Sequence, residues 1–222
     1  MRKARYVAAG YPHYVLQRGN YNQTIFEEET DYRHYLEWLA LYAKKFSLKI
    51  WAYCLMNNHV HFVCLPLRQD AMAKTFNTLH MRYSQYFNKK RNVVGHLWQN
   101  RFHSCILDPA HALEAVRHIE NNPVRAGIVE KAHCYSWSSA YAHVFRQRTG
   151  ILEEVRHESV SPEDWQAYLE EKSDEALIRD LRENIKTGRL CGSANFIKKM
   201  EGLLACKLVP SPRGRPPKFI RG

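Results

Sequence analysis

Ile50 to Leu65, IWAYCLMNNHVHFVCL, is the stretch whose reading decides the fold. Its first half is apolar and aromatic, Asn57-Asn58 interrupts it with a pair suited to a tight turn, and the second half runs on to Pro66. Two strands follow, Leu48 to Met56 and His59 to Leu65, joined at that turn. Side chains on a strand repeat their direction every two residues, so His59 and His61 leave one surface side by side, close enough to share a divalent ion. Taken alone, the pair has two readings: neutral imidazoles packed beside backbone acceptors, or two nitrogen ligands of a metal.

Upstream, Tyr11 to Leu16 is short and β-prone, and Arg18-Gly19-Asn20 reads as a turn. Asp31 opens an amphipathic helix to about Phe46, with Tyr35, Leu36, Leu39, Tyr42, Ala43 and Phe46 near helical spacing. Downstream, Ala71 to Asn88 is a second helix, and Leu97 to Leu107 reads as a strand with a bend. Pro109 suits the first turn of a third helix ending near Asn121, since Pro123 disfavours helical geometry in the residue before it. The order strand, helix, strand, strand, helix, strand, helix predicts an α+β fold, a split β-α-β sheet with helices on one face. Beyond residue 150 the pattern is helical, with Pro162 to Glu171, Asp174 to Lys186 and Ala194 to Ala205 as short helices. The chain divides on this basis into 1–150, a helical extension 151–206 and a tail 207–222.

With 222 residues, 45% of them hydrophobic, the chain can bury a real core. It shows no apolar run of membrane-spanning length and no secretory leader pattern, so a cytoplasmic, nucleoid-associated protein is expected. The six cysteines form no C-x-x-C pair, which argues for a reducing compartment and against a cysteine-held zinc. A net charge of +11 favours a polyanionic partner, nucleic acid before membrane. Lys plus Arg outnumber Asp plus Glu by 20 to 10 over residues 1–150 and by 5 to none over 207–222, whereas 151–180 is acidic, 3 to 10.

Two strand histidines supply nitrogen ligands, and a Mg²⁺ or Mn²⁺ used on phosphate needs further oxygen donors and open positions. The helix from Pro109 can contribute: His118 and Asn122 are i and i+4, on one face, so a group at 118 and an amide oxygen at 122 meet the same site.

The segments PHYVLQRGN (Pro12 to Asn20), AYCLMNNHVHFV (Ala52 to Val63), YFNKK, GHLWQNRF (Gly95 to Phe102), RHIENNPVRAGIV (Arg117 to Val129), YSWSSA (Tyr135 to Ala140) and the closing GRPPK run resemble the REP-associated tyrosine transposases, a branch of the single-tyrosine HUH (IS200-like) transposases. The resemblance covers essentially the whole chain in order. It implies a ferredoxin-like HUH nuclease domain that binds single-stranded DNA beside a hairpin and cleaves one strand with Mg²⁺ or Mn²⁺, then transfers it. In the family a helix-borne tyrosine attacks the scissile phosphate, leaving a 5′-phosphotyrosine and a free 3′-hydroxyl. The resemblance makes His59 and His61 the histidine metal ligands and Asn122 the third ligand.

One position departs from the family. Where its motif carries the nucleophilic tyrosine, this chain has His118, within Arg117-His118-Ile119-Glu120-Asn121-Asn122-Pro123. Four outcomes follow: strand transfer lost, a substitute tyrosine such as Tyr83 or Tyr86, attack by the imidazole, or His118 as another metal ligand. Tyr83 and Tyr86 read first as core or base-stacking aromatics, and Glu120, turned away from 118 and 122, as a surface residue. Trp98 and Arg101 are the candidates for stacking on bases and gripping phosphates, with a core role the alternative for Trp98. Arg213 and Arg215, in Pro212-Arg213-Gly214-Arg215-Pro216-Pro217-Lys218, resemble an AT-hook for the minor groove; the alternative is a basic tail on phosphates. The expected partner is single-stranded or hairpin DNA, with a homodimer left open. Three functions compete: strand cleavage and transfer, hairpin or repeat binding without cutting, and, more weakly, RNA binding, against which the paired histidines count.

Overall fold

The computed structural model is described for residues 5–153 and 165–208. Its elements are β1 (His13–Arg18), α1 (Glu29–Lys45), β2 (Leu48–Met56), β3 (His59–Pro66), α2 (Ala71–Arg91), β4 (His103–Ile106), α3 (Pro109–Glu120), α4 (Asn122–Arg125), α5 (Ala140–Val144), α6 (Trp165–Glu170), α7 (Glu175–Thr187) and α8 (Ala194–Leu204). The four strands pair in the order β2-β3-β1-β4, all antiparallel, with α1 and α2 as the crossovers of a split β-α-β fold. This is the expected α+β, ferredoxin-like arrangement.

The β2–β3 hairpin turns through Asn57 and Asn58, with Met56 opposite His59 and Leu55 opposite Val60. Neighbouring backbone pins this turn: the amides of Ile25 and Phe26 donate to the Asn57 carbonyl, at 2.7 and 3.1 Å, and that of Gly19 to the Asn58 carbonyl. Gly19 is required there, since a Cβ on it would lie 2.5 Å from the Gln23 carbonyl oxygen. The α1 helix starts two residues before Asp31, which sits at its third position and closes a capping box with Glu28.

The helices cover both faces of the sheet, not one. Val15, Val60, Phe62 and Cys64 pack with Tyr35 and Leu39 of α1 and Phe76, Leu79 and Tyr83 of α2. The alternate residues Tyr14, Cys54, Val63 and Cys105 pack with Ala112, Ala115, Val116 and Ile119 of α3 and with Trp165, Leu169, Ile178, Leu181 and Ile185 from the segment beyond 150. Strands buried on both faces read as continuous apolar runs, and the run Ile50 to Leu65 carries that signature. The extension thus shares a core with α3.

Two strand boundaries move. β1 starts after Pro12, which has no amide to donate, and reaches Arg18 because it pairs with β3 as far as His59. Of Leu97 to Leu107 only His103–Ile106 is strand; Trp98 makes one isolated bridge to Gly19, and residues 99–101 are exposed loop. Among the described residues no helix is long and apolar enough to cross a membrane.

Candidate metal and DNA site

His59 and His61 leave β3 on the α3 side of the sheet, as period-two geometry requires, with ring centroids 4.8 Å apart and planes at 84°. The Nδ1 of each is engaged. That of His59 bonds the Asn58 side-chain oxygen, and that of His61 lies 2.7 Å from the Tyr14 hydroxyl. With Nδ1 as the donor in both, each Nε2 keeps its lone pair, the arrangement that outer partners impose on ligand histidines. Burial, reinforced by Arg18, lowers His59 to about 4. Burial holds His61 well below its ordinary value, aided by His59, His118, Arg125 and Arg18. Both imidazoles are therefore neutral at pH 7, the form that binds a metal.

The third element is α3. Pro109 fills its first turn and the Asp108 side chain caps it by accepting from the His111 amide at 2.9 Å. Its apolar face, Ala112, Ala115, Val116 and Ile119, lies on the sheet and brings His118 into the electrostatic neighbourhood of His61. His118 is 7% exposed, and burial, with Arg125 and Arg182, lowers it to about 3. Asn122 follows as the first residue of α4. His59, His61 and His118 thus gather where β3 meets the end of α3, and Asn122 is tied to His118 through Arg125.

Arg125 completes the group. One of its nitrogens donates to the His118 carbonyl at 2.8 Å; the other donates to the Asn122 side-chain oxygen and lies 3.3 Å from His118 Nε2. Guanidinium can only donate, so the Asn122 oxygen faces Arg125, and its Nδ2 is left buried without a partner. Arg18, directly across the β1–β3 ladder from His59, and Arg182 on α7 add positive potential. An anionic ligand is what such a concentration of cations attracts.

Among the described residues no set of three or more His, Cys, Asp or Glu side chains forms a metal cage. Two neutral imidazoles and a carboxamide oxygen remain. That set fits Mg²⁺ or Mn²⁺, which keep waters or phosphate oxygens in their other positions. The orphaned Asn122 Nδ2 is a donor, so what it lacks is an acceptor such as a phosphate oxygen, while the ligand oxygen of the same carboxamide is held by Arg125.

Arg117, Glu120 and Asn121 of the same segment face the other way and anchor the extension. Arg117 pairs with Glu114, lies 3.4 Å from Glu171 and stacks over Tyr168. Asn121 donates to the Leu169 carbonyl at 2.8 Å. Glu120, expected at the surface, is instead fully buried: its carboxylate accepts from Ser139 and His143 and, at 2.9 Å, from the Trp165 indole. Helical phase correctly turns Glu120 away from 118 and 122, but the extension packs on that side.

Tyr83 and Tyr86 lie on the opposite face of the sheet, where Tyr83 donates to the Ile25 carbonyl and Tyr86 to Asp31. The tyrosine that does reach the site, Tyr14, is held by His61, and burial raises its phenol far above the ordinary value. Only the β1–β3 register exposes that signal, since Tyr14 lies two residues before Leu16, the partner of His61. Arg125 carried a local signal, three residues after Asn122; Arg182 carried none.

Trp98 and Arg101 are not brought to the histidines. They line a separate cavity of about 580 Å³ with Gln17, Asn77, His80 and His96. Trp98 is half-buried and donates to the His80 carbonyl at 3.0 Å, and Arg101 is exposed. Arg213 and Arg215 lie outside the described residues.

Comparison with known proteins agrees with this fold. The model of the IS200-like transposases matches residues 7–122, and the chain belongs to that family. Among solved structures it is similar to a REP-associated tyrosine transposase bound to a REP hairpin, with a TM-score of 0.53 and 17% identity over 72% of this chain and 97% of that one. At that identity the likeness is one of fold. A protein of Deinococcus radiodurans described as a transposase matches more loosely, with a TM-score of 0.38 and 16% identity over 55% of this chain and 97% of that one. No curated protein matches significantly.

Proposed function

We propose that this chain binds single-stranded or hairpin DNA with one backbone phosphate at His59, His61 and Asn122, beside Mg²⁺ or Mn²⁺. The observation that carries the reading is the pair of imidazoles, ring centroids 4.8 Å apart on one face of β3, with Arg18 across the ladder from His59 and Arg125 bonded to His118. When bound, the metal supplies a Lewis acid that polarises and orients the phosphate oxygens. Arg18 and Arg182 draw the backbone in, and His59 and His61 hold their ligand nitrogens through Asn58 and Tyr14. The extension 151–206 buttresses α3 through Arg117, Glu120 and Asn121, and the tail adds sequence-independent affinity.

Strand cleavage and transfer is the family's reaction, but a second feature favours binding without cutting. The nucleophile's position holds a histidine, and each of Tyr14, Tyr83 and Tyr86 has its hydroxyl committed elsewhere. We therefore conclude that the protein recognises DNA hairpins or repeats and does not form the family's covalent link. A labelled hairpin oligonucleotide with a single-stranded flank, incubated with Mn²⁺, tests this. The wild type should give no denaturant-stable adduct, and His118→Tyr should gain one. An adduct or shortened product with wild type, lost in His59→Ala, overturns the non-cleaving reading and leaves the metal site standing.

A further inference from the structure

The side chain of Arg125 sits where the proposed site has to work. Its guanidinium closes over the last turn of α3 and spans three acceptors, the His118 carbonyl, His118 Nε2 and the Asn122 oxygen. One of these, the Asn122 oxygen, is the atom that the site offers to its metal, and another, His118 Nε2, stands at the family's nucleophile position. The residue as a whole is solvent-exposed, although burial of its guanidinium beside Tyr14 and Cys54 lowers the pKa of that group, so the fork gains solvation when it leaves and no apolar core residue has to move with it. It also borders a cavity of about 510 Å³, lined by Asn121, Lys131, His133 and Gln166 among others, which gives the side chain room to turn. A planar five-donor fork matches two phosphate oxygens as well as it matches a carboxamide and an imidazole, and phosphate is the stronger acceptor.

We propose that Arg125 is a phosphate-gripping residue that doubles as a latch: without DNA it holds Asn122 and His118, and with DNA it moves to the backbone phosphate and frees both. Metal and DNA binding are then coupled through one side chain. The inference rests on Asn122 being a metal ligand. It explains why the Asn122 Nδ2 is left without a partner: in the latched state the carboxamide is turned to suit Arg125. It makes Arg125 a positioning residue for Asn122 as well as a direct contact of the DNA.

The test measures Mn²⁺ binding by electron paramagnetic resonance and hairpin binding by fluorescence anisotropy, on the full chain. Wild type, Arg125→Ala, Arg125→Lys and His59→Ala are compared. In wild type, the hairpin oligonucleotide should raise Mn²⁺ affinity. Arg125→Ala should bind Mn²⁺ without DNA about tenfold more tightly than wild type, because the ligand oxygen is free and a nearby positive charge is gone. The same variant should bind the hairpin about tenfold more weakly, and the hairpin should no longer raise its Mn²⁺ affinity. A gain in metal affinity cannot come from misfolding. Arg125→Lys keeps the charge but not the fork, and should weaken hairpin binding while gaining little for Mn²⁺. If Arg125→Ala leaves Mn²⁺ affinity unchanged or lower, or leaves hairpin affinity intact, the latch is wrong. His59→Ala tells the two failures apart: loss of Mn²⁺ binding there keeps the metal site while the latch falls, and no loss removes both.

Discussion

Acidification should unfold this protein well above the pH at which its carboxylates protonate. Burial lowers His13, His59, His61, His80 and His118: His13 and His59 to about 4, His80 and His118 to about 3, and His61 well below its ordinary value. Each native pKa lies below the unfolded value near 6.5, so the unfolded chain binds more protons. The associated stability is complete above pH ~6.5 and is lost as the pH falls toward the native values. At pH 5.5 each of these histidines favours the unfolded chain by about 1.4 kcal/mol, a figure set by the unfolded pKa alone, and the five together by about 7 kcal/mol. His111 has the opposite sign. Burial lowers it, but its bond to Asp108 outweighs burial and raises it, which returns part of one such increment. Asp31 and Asp108, lowered from 3.8, matter only in stronger acid. A net loss of about 6 to 7 kcal/mol rivals the whole stability of an ordinary domain. Half-unfolding is therefore expected near pH 5 to 5.5. Urea unfolding followed by circular dichroism at pH 7.5, 6.5 and 5.5 gives the slope of stability against pH. We expect an uptake of about four protons on unfolding at pH 5.5. His80→Gln, remote from the metal site, should reduce it by about one. A slope below one proton would show that these histidines are not held neutral by the fold.

Other consequences are more local. Glu120→Ala leaves Ser139, His143 and Trp165 without their shared acceptor and should cost about 3 to 5 kcal/mol in urea unfolding; a cost under about 1 kcal/mol would contradict the anchoring role. Tyr14→Phe removes the partner of His61 Nδ1 and should weaken Mn²⁺ binding about tenfold, with little change in hairpin affinity measured without metal. Deleting residues 207–222, which carry five Lys and Arg and no acid, should lower the slope of log affinity against log salt by roughly 0.7 to 0.9 for each phosphate that the tail neutralises in the full chain. An unchanged slope would mean that the tail does not touch DNA.

Much of the fold was legible because its signals are local. The Asn57-Asn58 turn, the apolar runs flanking it and the helix periodicities fixed four strands and three helices in their order, and the sheet closed as that order predicts. The histidine pair followed from strand parity; 118 and 122 were expected as i and i+4 on one helix, but α3 ends at Glu120 and Asn122 opens α4, with Arg125 linking the two side chains. What escaped depends on contacts distant in sequence. Tyr14 meets His61 only once β1 and β3 are in register. Glu120 is buried by Trp165, 45 residues away. The helices on the second face could not be foreseen from the order of elements, although the unbroken apolar character of β2 and β3 held the clue. Arg125 was visible in sequence as part of NPVR, yet nothing local says that its side chain folds back over α3.

A metal-assisted phosphate site built from His59, His61 and Asn122 makes affinity for a hairpin oligonucleotide with a single-stranded flank depend on Mn²⁺. Wild type should bind about tenfold or more tightly with Mn²⁺ than with a chelator, and His59→Ala combined with His61→Ala should abolish that difference while retaining the metal-free affinity. Equal affinity of wild type with and without Mn²⁺, or a metal effect that survives in the double variant, would show that these residues do not form a metal site.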